Sequence, residues 1–369
     1  MRTAGIMLMT LALAGAAAAI EVGGTAPTVS GLGTVGDAAA NDHIKDVFQD
    51  ALDELNDQLR GIYAKPEKFI RAWGDASVFG SHGATARAYG NYKFITVTIG
   101  AMAGIEVPSN PFTIMNELGD IPAKLNEDHD LALGFSPQIL NARIGLNTSQ
   151  FLVKNLYLGL NIGFMKLDGL TEGFSFTTFS IGLAANYQIL PTIDLLGGFI
   201  LWRGLHLGTG LTYTLTDIGY DIKLESVRQP LGAVAGFTSN EAIRIDPSLS
   251  LAMDIDTFTI PFEANTAVKL LWFLNVGAGA GFDLGLGKSG LKVGAKGDVS
   301  LENLSSPLAQ ESPGKITLSA GGDMTPAVFN LKLMASVGIN IGPVLLDIPF
   351  TYYFLNNGVN AGVTIGVSL

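Results

Sequence analysis

A period-two pattern of apolar and polar residues dominates the chain from about residue 92 to its end. In residues 95–105, 156–164 and 207–215 every second position is mostly apolar, while the positions between are largely Gly, Ser, Thr and Asn. Similar alternation runs through residues 179–187, 249–255, 258–268, 274–284, 291–301, 333–341, 344–354 and 359–369. This periodicity is typical of β-strands whose two faces meet different surroundings.

The predicted strands are long, and their polar face carries few charges. A soluble strand has about 5 to 6 residues, whereas a tilted strand needs about 9 to 11 to cross a bilayer. We therefore predict an all-β fold with N-terminal helices, in which 12 to 14 antiparallel strands form a transmembrane β-barrel with a helical plug or cap. Apolar side chains would face lipid and small or polar side chains the lumen. A soluble secreted β-protein is the alternative.

One proline interrupts the alternation inside a predicted strand. Leu133 and Phe135 are in one phase, Leu140 and Ile144 are in the other, and Pro137 lies between them. We predict a bulge or a bend at this point, because proline cannot donate a hydrogen bond to a neighbouring strand.

The first 82 residues follow different patterns. Residues 1–19 combine Arg2, an apolar stretch and a run of alanines, which predicts a signal peptide cut after Ala19. We assign residues 20–82 to a helical plug or cap and residues 83–369 to the barrel. Export of a barrel places the protein in the bacterial outer membrane, with membrane lipid and the barrel-insertion machinery as partners.

Residues 42–60 predict an amphipathic helix, since apolar residues recur at the helical period opposite a row of aspartates. Pro66 can open a second short helix. The segment has four possible roles: a plug in the lumen, a cap on the periplasmic mouth, a binding helix for another protein, or an unattached extension. We expect a plug or cap helix whose apolar face is formed by Ile44, Phe48, Leu52, Leu55 and Leu59.

The amino-acid composition excludes several classes of functional site and binding partner. The chain has no cysteine, which excludes disulfides, zinc–cysteine sites and a thiol nucleophile. Its net charge of -11 opposes binding to nucleic acid or to an anionic membrane surface. Only 15% of the residues are charged, against about 25% in an average soluble domain. Much of the surface is therefore expected to face something other than water.

Motifs for catalysis and cofactor binding are weak. Gly31, Gly33 and Gly36 match the spacing of a dinucleotide fingerprint, but no strand–helix–strand unit surrounds them. The four histidines lack metal-binding spacing, and the acidic residues 127–130 lack that of a calcium loop. We predict no catalytic residue, no metal, no cofactor and no enzymatic activity.

Charged residues on the predicted polar face are the candidate functional residues. A charge on the lipid face would cost about 2–4 kcal/mol near the midplane of the membrane, so we assign them to the lumen. They would set selectivity for a passing solute, or pair with one another and stiffen the wall. The predicted lumen-lining residues are Arg143, Asp254, Asp256, Glu263, Lys269, Lys292, Lys296, Asp298 and Asp347.

Two family resemblances suggest functions. The run of small residues at 30–38 resembles the start of the hatch that occludes long-chain fatty-acid transporters of the outer membrane. Residues 76–104 and 201–210 resemble spirochaete outer-membrane surface proteins described as adhesins for host matrix. The first implies a channel or transporter for small solutes or hydrophobic compounds, gated by the N-terminal helical segment, and this is our prediction. The second implies the alternative, a surface adhesin that binds a host matrix protein through extracellular loops.

Overall fold

The computed structural model describes most of the chain as two helices and sixteen strands. The described residues are 23–32, 34–62, 66–84, 94–107, 134–149, 151–169, 173–223, 226–232, 240–304 and 310–369, and side-chain positions are not described for 34–35, 54–62, 66, 222 and 320. The predicted signal peptide lies outside this set. The helices are α1 (Thr34–Ile62) and α2 (Pro66–Phe79). The strands are β1 (Gly23–Thr25), β2 (Thr28–Ser30), β3 (Ile95–Glu106), β4 (Gly134–Asn147), β5 (Leu156–Asp168), β6 (Phe174–Leu190), β7 (Ile193–Asp194), β8 (Ile200–Lys223), β9 (Val227–Pro230), β10 (Ala242–Leu270), β11 (Leu274–Glu302), β12 (Gln310–Ser312), β13 (Gly314–Met324), β14 (Phe329–Ile341), β15 (Val344–Tyr353) and β16 (Gly358–Ser368).

Ten strand positions close into a ring. The order around it is β3, β4, β5, β6, β8, β10, β11, β14, β15 and β16, and β16 pairs back to β3. Each of these pairings is antiparallel. Each ring strand therefore has a neighbour on both sides, as a strand in hydrocarbon requires. The prediction of a transmembrane antiparallel β-barrel with N-terminal helices is confirmed.

The sheet contains fourteen strands, within the predicted range, but four of them add no place to the ring. β13 and β14 lie one after the other along β11 in a single register, with Met324 opposite Ser289 and Phe329 opposite Leu284. They are one interrupted strand. The short strands β1, β7 and β9 pair with β13, β8 and β10 respectively.

The predicted irregularity near Pro137 is present. The register between β3 and β4 shifts between Gly100 and Met102, so that Ile139 and Leu140 are both exposed on the outer face. This bulge joins the two phases of alternation that the sequence shows on either side of the proline.

The outer face of the ring carries an apolar belt. On β6 it runs from Phe179 to Ile189 and on β8 from Leu205 to Leu215, about the 9 to 11 residues that a tilted membrane strand needs. Leu183 is 66% exposed and Ile365 53% exposed within this belt. No outward residue of the belt on the ten described ring strands is charged. The lipid-facing surface is therefore continuous around the barrel.

The two faces exchange polarity at one edge of the belt. On β10 the inward side chains are polar at Thr257 and Thr259 and apolar at Ile255 and Met253, although the strand continues without a break. The outward side chains change in the opposite sense on the same strand, from Phe258 to Asp256. On β11 the outward change falls between Leu286 and Lys288, and these residues pair with Phe258 and Asp256. One boundary therefore crosses neighbouring strands, with lipid on one side and water on the other.

Beyond this boundary the strands build a distal module with a conventional apolar core. We define it as α1, β1, β2, β9, β12, β13 and the continuations of β8, β10 and β11 past the belt. Its core includes Leu249, Leu251, Leu291, Val293 and Ile316, all buried. Its outer face carries charges, as a surface in water does.

Five predicted lumen residues lie on this water-facing surface, so their assignment to the lumen is wrong. Their positions on β10 and β11 alternate with the buried apolar side chains of the distal core and point outward. Lys292, 76% exposed, pairs with Asp254 at 3.0 Å on the outer surface. The corrected residues are Asp254, Asp256, Lys292, Lys296 and Asp298.

The predicted plug helix caps the distal end. Ile44, Phe48 and Leu52 are buried, but they join the distal core and do not enter the lumen. The side chains of Leu55 and Leu59 lie outside the part that the structure describes. Within that part, neither helix is long and apolar enough to be a candidate membrane span.

The boundary predicts that the same substitution destabilises the barrel at one position of a strand face and has little effect at another. Arginine in place of Leu183, at the centre of the belt on β6, should destabilise the barrel by about 2–4 kcal/mol because it faces hydrocarbon. Ser175→Arg lies on the same outward face of β6 past the boundary, where an exposed substitution costs within about 0.5 kcal/mol. Denaturant unfolding in lipid vesicles, followed by heat-modifiable gel migration, measures both. Equal losses at the two positions would contradict the assigned boundary.

Candidate functional site: the occluded lumen

Helix α2 lies inside the ring. It contacts β3, β4, β10, β11, β13 and β16, which are spread around the barrel. Ala76, Ser77, Val78 and Phe79 have no exposed surface at all. Four of the five residues after the helix, through Ala84, are buried as well, and His82 is half-buried. This plug, defined as residues 66–84, therefore fills the lumen from the distal mouth inward.

The plug fits inside the ring because many of its side chains are small and because glycines on the wall face it. Nine of the thirteen residues from Ala72 to Ala84 are Gly, Ala, Ser or Asp. On the wall, a Cβ at Gly134 would overlap the carbonyl of Ala72, and one at Gly358 would overlap the ring of Phe79. A narrow barrel admits a helix only where side chains are missing at such points.

At the distal mouth the plug is fastened through Asp75, which is 1% exposed. One carboxylate oxygen accepts a hydrogen bond from the amide of Ala327 at 2.5 Å, and the other accepts one from Asn356 at 3.3 Å. Burial raises the pKa of Asp75 to about 6, while the hydrogen bond from the amide of Ala327, the interaction with Glu106 and the charge of Arg71 act in the opposite direction. The two contacts of Asp75 with Ala327 and Asn356 therefore tie α2 to the segments that precede β14 and follow β15 at the distal mouth.

Just inside the distal mouth the plug is held by side chains of the wall. Ser77 Oγ lies 2.8 Å from Thr257 Oγ1. Asn360 donates to the carbonyl oxygens of Phe79 and Ser81, the second at 3.0 Å. The ring of Phe79 stacks on Tyr353 with 4.1 Å between centroids. The two hydrogen bonds from Asn360 satisfy carbonyl groups at the C-terminal end of α2, which have no partner within the helix.

The deepest contact joins the plug to a buried ion network. Glu263 accepts a hydrogen bond from the amide of Ala84 at 2.9 Å and binds Lys332 Nζ at 2.5 Å. Lys332 also binds Asp283 at 2.6 Å, and Asp283 accepts a hydrogen bond from Tyr353 at 3.0 Å. Because Tyr353 also stacks on the plug, this network contacts the plug twice. The buried charges are compensated, as burial requires.

The plug runs toward the opposite end of the barrel. Arg143 donates to the carbonyl of Ala84 at 3.0 Å, within the lumen. Phe94, the next described residue, lies at the far end, where its amide donates to the carbonyl of Leu369 at 2.6 Å. Residues 85–93, outside the described set, connect the two. The chain therefore enters the lumen at the distal mouth and begins the barrel at the other end.

Four predicted lumen residues occupy inward positions of the wall. Arg143, Glu263 and Asp347 are buried in the barrel, and Arg143 and Glu263 both contact Ala84. Lys269 is partly exposed, one residue from the end of β10. The sequence reasoning missed Lys332 and Asp283, whose phase on β14 and β11 matches the inward polar face. It predicted a second short helix opening at Pro66, which is α2, but it assigned the plug or cap role to the helix of residues 42–60 and did not use the concentration of small residues in α2.

The lumen beyond the plug is lined by polar side chains. Asn161 and Asn186 are buried there, and side-chain atoms of each have no hydrogen-bond partner within the described protein. The same holds for Nδ1 of His206. Among the described residues no group of three or more His, Asp or Glu could hold a metal ion. This region can pair with water or a small solute.

A closed ring with an apolar belt, a polar lumen and an internal helix defines a transmembrane β-barrel of the outer-membrane type with an occluded lumen. The sequence profile described as Lsa36-like matches residues 17–369, and the chain belongs to that family. A search among curated proteins gives no match.

Solved structures resemble the chain only distantly. The translocator domain of autotransporter NalP from Neisseria meningitidis has 11% identity and a TM-score of 0.27, with 75% of this chain and 88% of that chain covered. The toluene transporter TbuX from Ralstonia pickettii has 9% identity, a TM-score of 0.22 and coverage of 81% and 97%. A FadL homologue from Pseudomonas aeruginosa has 9% identity, a TM-score of 0.26 and coverage of 81% and 98%. At these values the likeness carries no argument about function.

The ion network predicts a large effect from a single lysine. Lys332→Met leaves Glu263 and Asp283 buried without their cation, so we expect a loss of about 3–5 kcal/mol in the free energy of unfolding. The matched control is Lys292→Met, which removes an exposed ion pair of 3.0 Å and should cost at most about 1 kcal/mol. Urea unfolding of the detergent-solubilised protein measures both. A loss below that of the control would show that the network does not stabilise the closed lumen.

Proposed function

We propose that this protein is a surface protein of the bacterial outer membrane, in which the barrel is the anchor, the lumen is closed and the distal module binds partners outside the cell. One observation carries the proposal: residues 66–84 lie inside the lumen, and the helix that precedes them completes the distal module. The barrel therefore holds part of its own N-terminal segment within the lumen.

The loop lengths support the orientation. Outer-membrane barrels have short periplasmic turns and longer extracellular loops. At the end where β3 begins and β16 finishes, the turns between β10 and β11 and between β14 and β15 span only residues 271–273 and 342–343. The distal end carries the connection between β3 and β4, residues 107–133, and the connection between β8 and β10, residues 224–241, which includes β9. The distal module thus belongs to the extracellular side.

The geometry favours an anchor because the plug is fixed at both of its ends. Asp75 holds it at the mouth, Glu263 and Arg143 hold it deep in the lumen, and α1 is buried in the distal core. A barrel of eight strands has an interior that side chains alone fill, so ten strands leave little room beside a helix.

The outer surface of the distal module suits a polar macromolecular partner. Arg244 bridges Asp246 at 3.0 Å and Glu302 at 3.2 Å, and Arg228 binds Glu302 at 3.0 Å, all on exposed strands. Such a network holds charges in fixed positions on a sheet. This supports the adhesin function, with a host matrix protein as the class of partner.

The absence of cysteine permits a direct test of the topology. Asp50→Cys places a single thiol on the exposed face of α1, and Ser149→Cys places one at the short-loop end. On intact cells a membrane-impermeant maleimide should label Asp50→Cys and leave Ser149→Cys unlabelled, because the first thiol lies outside the cell. After the outer membrane is permeabilised, both should react. The reverse pattern on intact cells would reject a surface-exposed distal module.

A gated channel is the second candidate, and the polar lumen beyond the plug favours it. If the plug moved, side chains such as Asn161, Asn186 and His206 would line a path for small solutes. The charged residues Arg143 and Glu263 would then face that path.

Deletion of residues 66–84 distinguishes the two candidates in planar bilayers. A channel predicts that the deletion raises conductance and that the intact protein also opens transiently. The control is the double variant Ser77→Cys/Thr257→Cys, which joins plug to wall where their hydroxyl oxygens lie 2.8 Å apart. Openings of the intact protein that vanish on oxidation and return on reduction would support gating. An intact protein that stays silent in both states supports the anchor.

A further inference from the structure

The lipid-facing surface has a groove that is independent of the lumen. It encloses about 520 Å³, and its sides are formed by Leu156, Tyr187, Phe262 and Phe282, with Ala264 and Ala280 between them. All six side chains point outward within the apolar belt. The groove is therefore a feature of the barrel's lipid interface.

The groove is continuous across five strands. Leu156 pairs with Tyr187, Tyr187 with Leu207, Leu207 with Ala264, and Ala264 with Ala280. Leu156 is the first residue of β5, at the short-loop edge of the belt, whereas Ala280 is six residues from the start of β11. Because barrel strands are tilted, this row runs obliquely from the membrane surface into the hydrocarbon layer.

A break in strand pairing lies beside the groove. The ladder between β8 and β10 is interrupted after Thr259, at Ile260 and Pro261, and resumes at Phe262. Proline removes a backbone donor from the ladder, so its presence inside a membrane strand needs a local reason. The small side chains Ala264 and Ala280 leave the space between the aromatic sides.

We propose that this groove binds one acyl chain of an anionic phospholipid from the leaflet at the short-loop end. The groove continues the belt that lipid already covers, and an apolar cleft at that depth meets only hydrocarbon. At its outer end the loop before β5 carries Lys154, two residues from Leu156 and exposed. A lysine at the membrane surface attracts a phosphate headgroup, while Tyr187 suits the interfacial position at which aromatic residues are enriched.

Native mass spectrometry of the full-length protein in detergent tests the site, with dioleoyl phosphatidylglycerol and dioleoyl phosphatidylcholine as probes. Ala264→Phe fills the floor of the groove and should weaken retention of one phosphatidylglycerol at least about tenfold. The control is Ala361→Phe, which adds the same ring to another exposed alanine of the belt, on β16. It should retain lipid as the wild type does. Lys154→Gln should reduce the preference for phosphatidylglycerol over phosphatidylcholine.

Equal lipid retention by Ala264→Phe and Ala361→Phe would overturn the site, and an unchanged lipid preference in Lys154→Gln would overturn the anionic headgroup. Heat-modifiable migration confirms that each variant is folded, and Ala280→Leu replaces Ala264→Phe if the latter does not fold. Surface labelling and conductance do not depend on this groove. A negative result in the lipid-binding experiment would therefore not affect the proposed function. A negative result in the labelling or conductance experiments would not affect the proposed lipid site.

Discussion

Hydrocarbon accepts a polypeptide backbone only where every N–H and C=O has a partner, and this requirement governs the rest of the structure. It forces the ten strand positions to close, because an open edge in the belt would leave a row of unpaired groups. Closure fixes the width of the lumen, and the narrow lumen in turn restricts the residues of α2. Ala76 and Ser77 can lie against the wall only because they are small. The composition of the plug thus follows from pairing in the belt.

The same constraint explains why the strands continue past the membrane. β10 and β11 each have 29 residues, and they pair with each other along their whole length. Past the belt, their outer face is in water and their inner face no longer borders the narrow lumen. Their inward side chains can then form an ordinary apolar core with α1, as Leu251 and Met253 do with Ile44. Lipid surrounds one part of each strand and water surrounds the other. The outward side chains are therefore apolar in the first part, and the inward side chains are apolar in the second.

The sequence predicted the barrel because alternation, strand length and scarce charge all depend on lipid. It mispredicted five lumen residues because alternation shows that two faces differ and does not show which face looks inward. The apolar rows 249–255 and 258–268 are out of phase, which we interpreted as two strands. In the structure they belong to β10, and the phase change is the boundary at Asp256 and Phe258.

Other features depend on contacts between distant parts of the chain. Glu263 and Asp283 meet Lys332 across strands separated by 69 and 49 residues, a relation that no local spacing reveals. The sequence could, however, have placed Glu263 and Asp254 on opposite faces of one strand, since they differ by an odd number of residues. The small residues of α2 were visible as well, but they acquire meaning only once the width of the ring is known.

The plug and the distal module are coupled because α1, which belongs to the distal module, and the plug are consecutive parts of one chain segment. The plug is joined covalently to α1 on one side and, through residues 85–93, to β3 on the other. It is therefore an intramolecular ligand of the lumen, for which even modest contacts give high occupancy. Movement of the plug in either direction must pull on α1, whose apolar face is buried in the distal core. A partner that binds the distal module and stabilises that core would thus also stabilise the closed lumen, since the two states share one equilibrium. Under the proposed function, binding of a surface partner would therefore oppose opening of the lumen, because both act on the same helical segment.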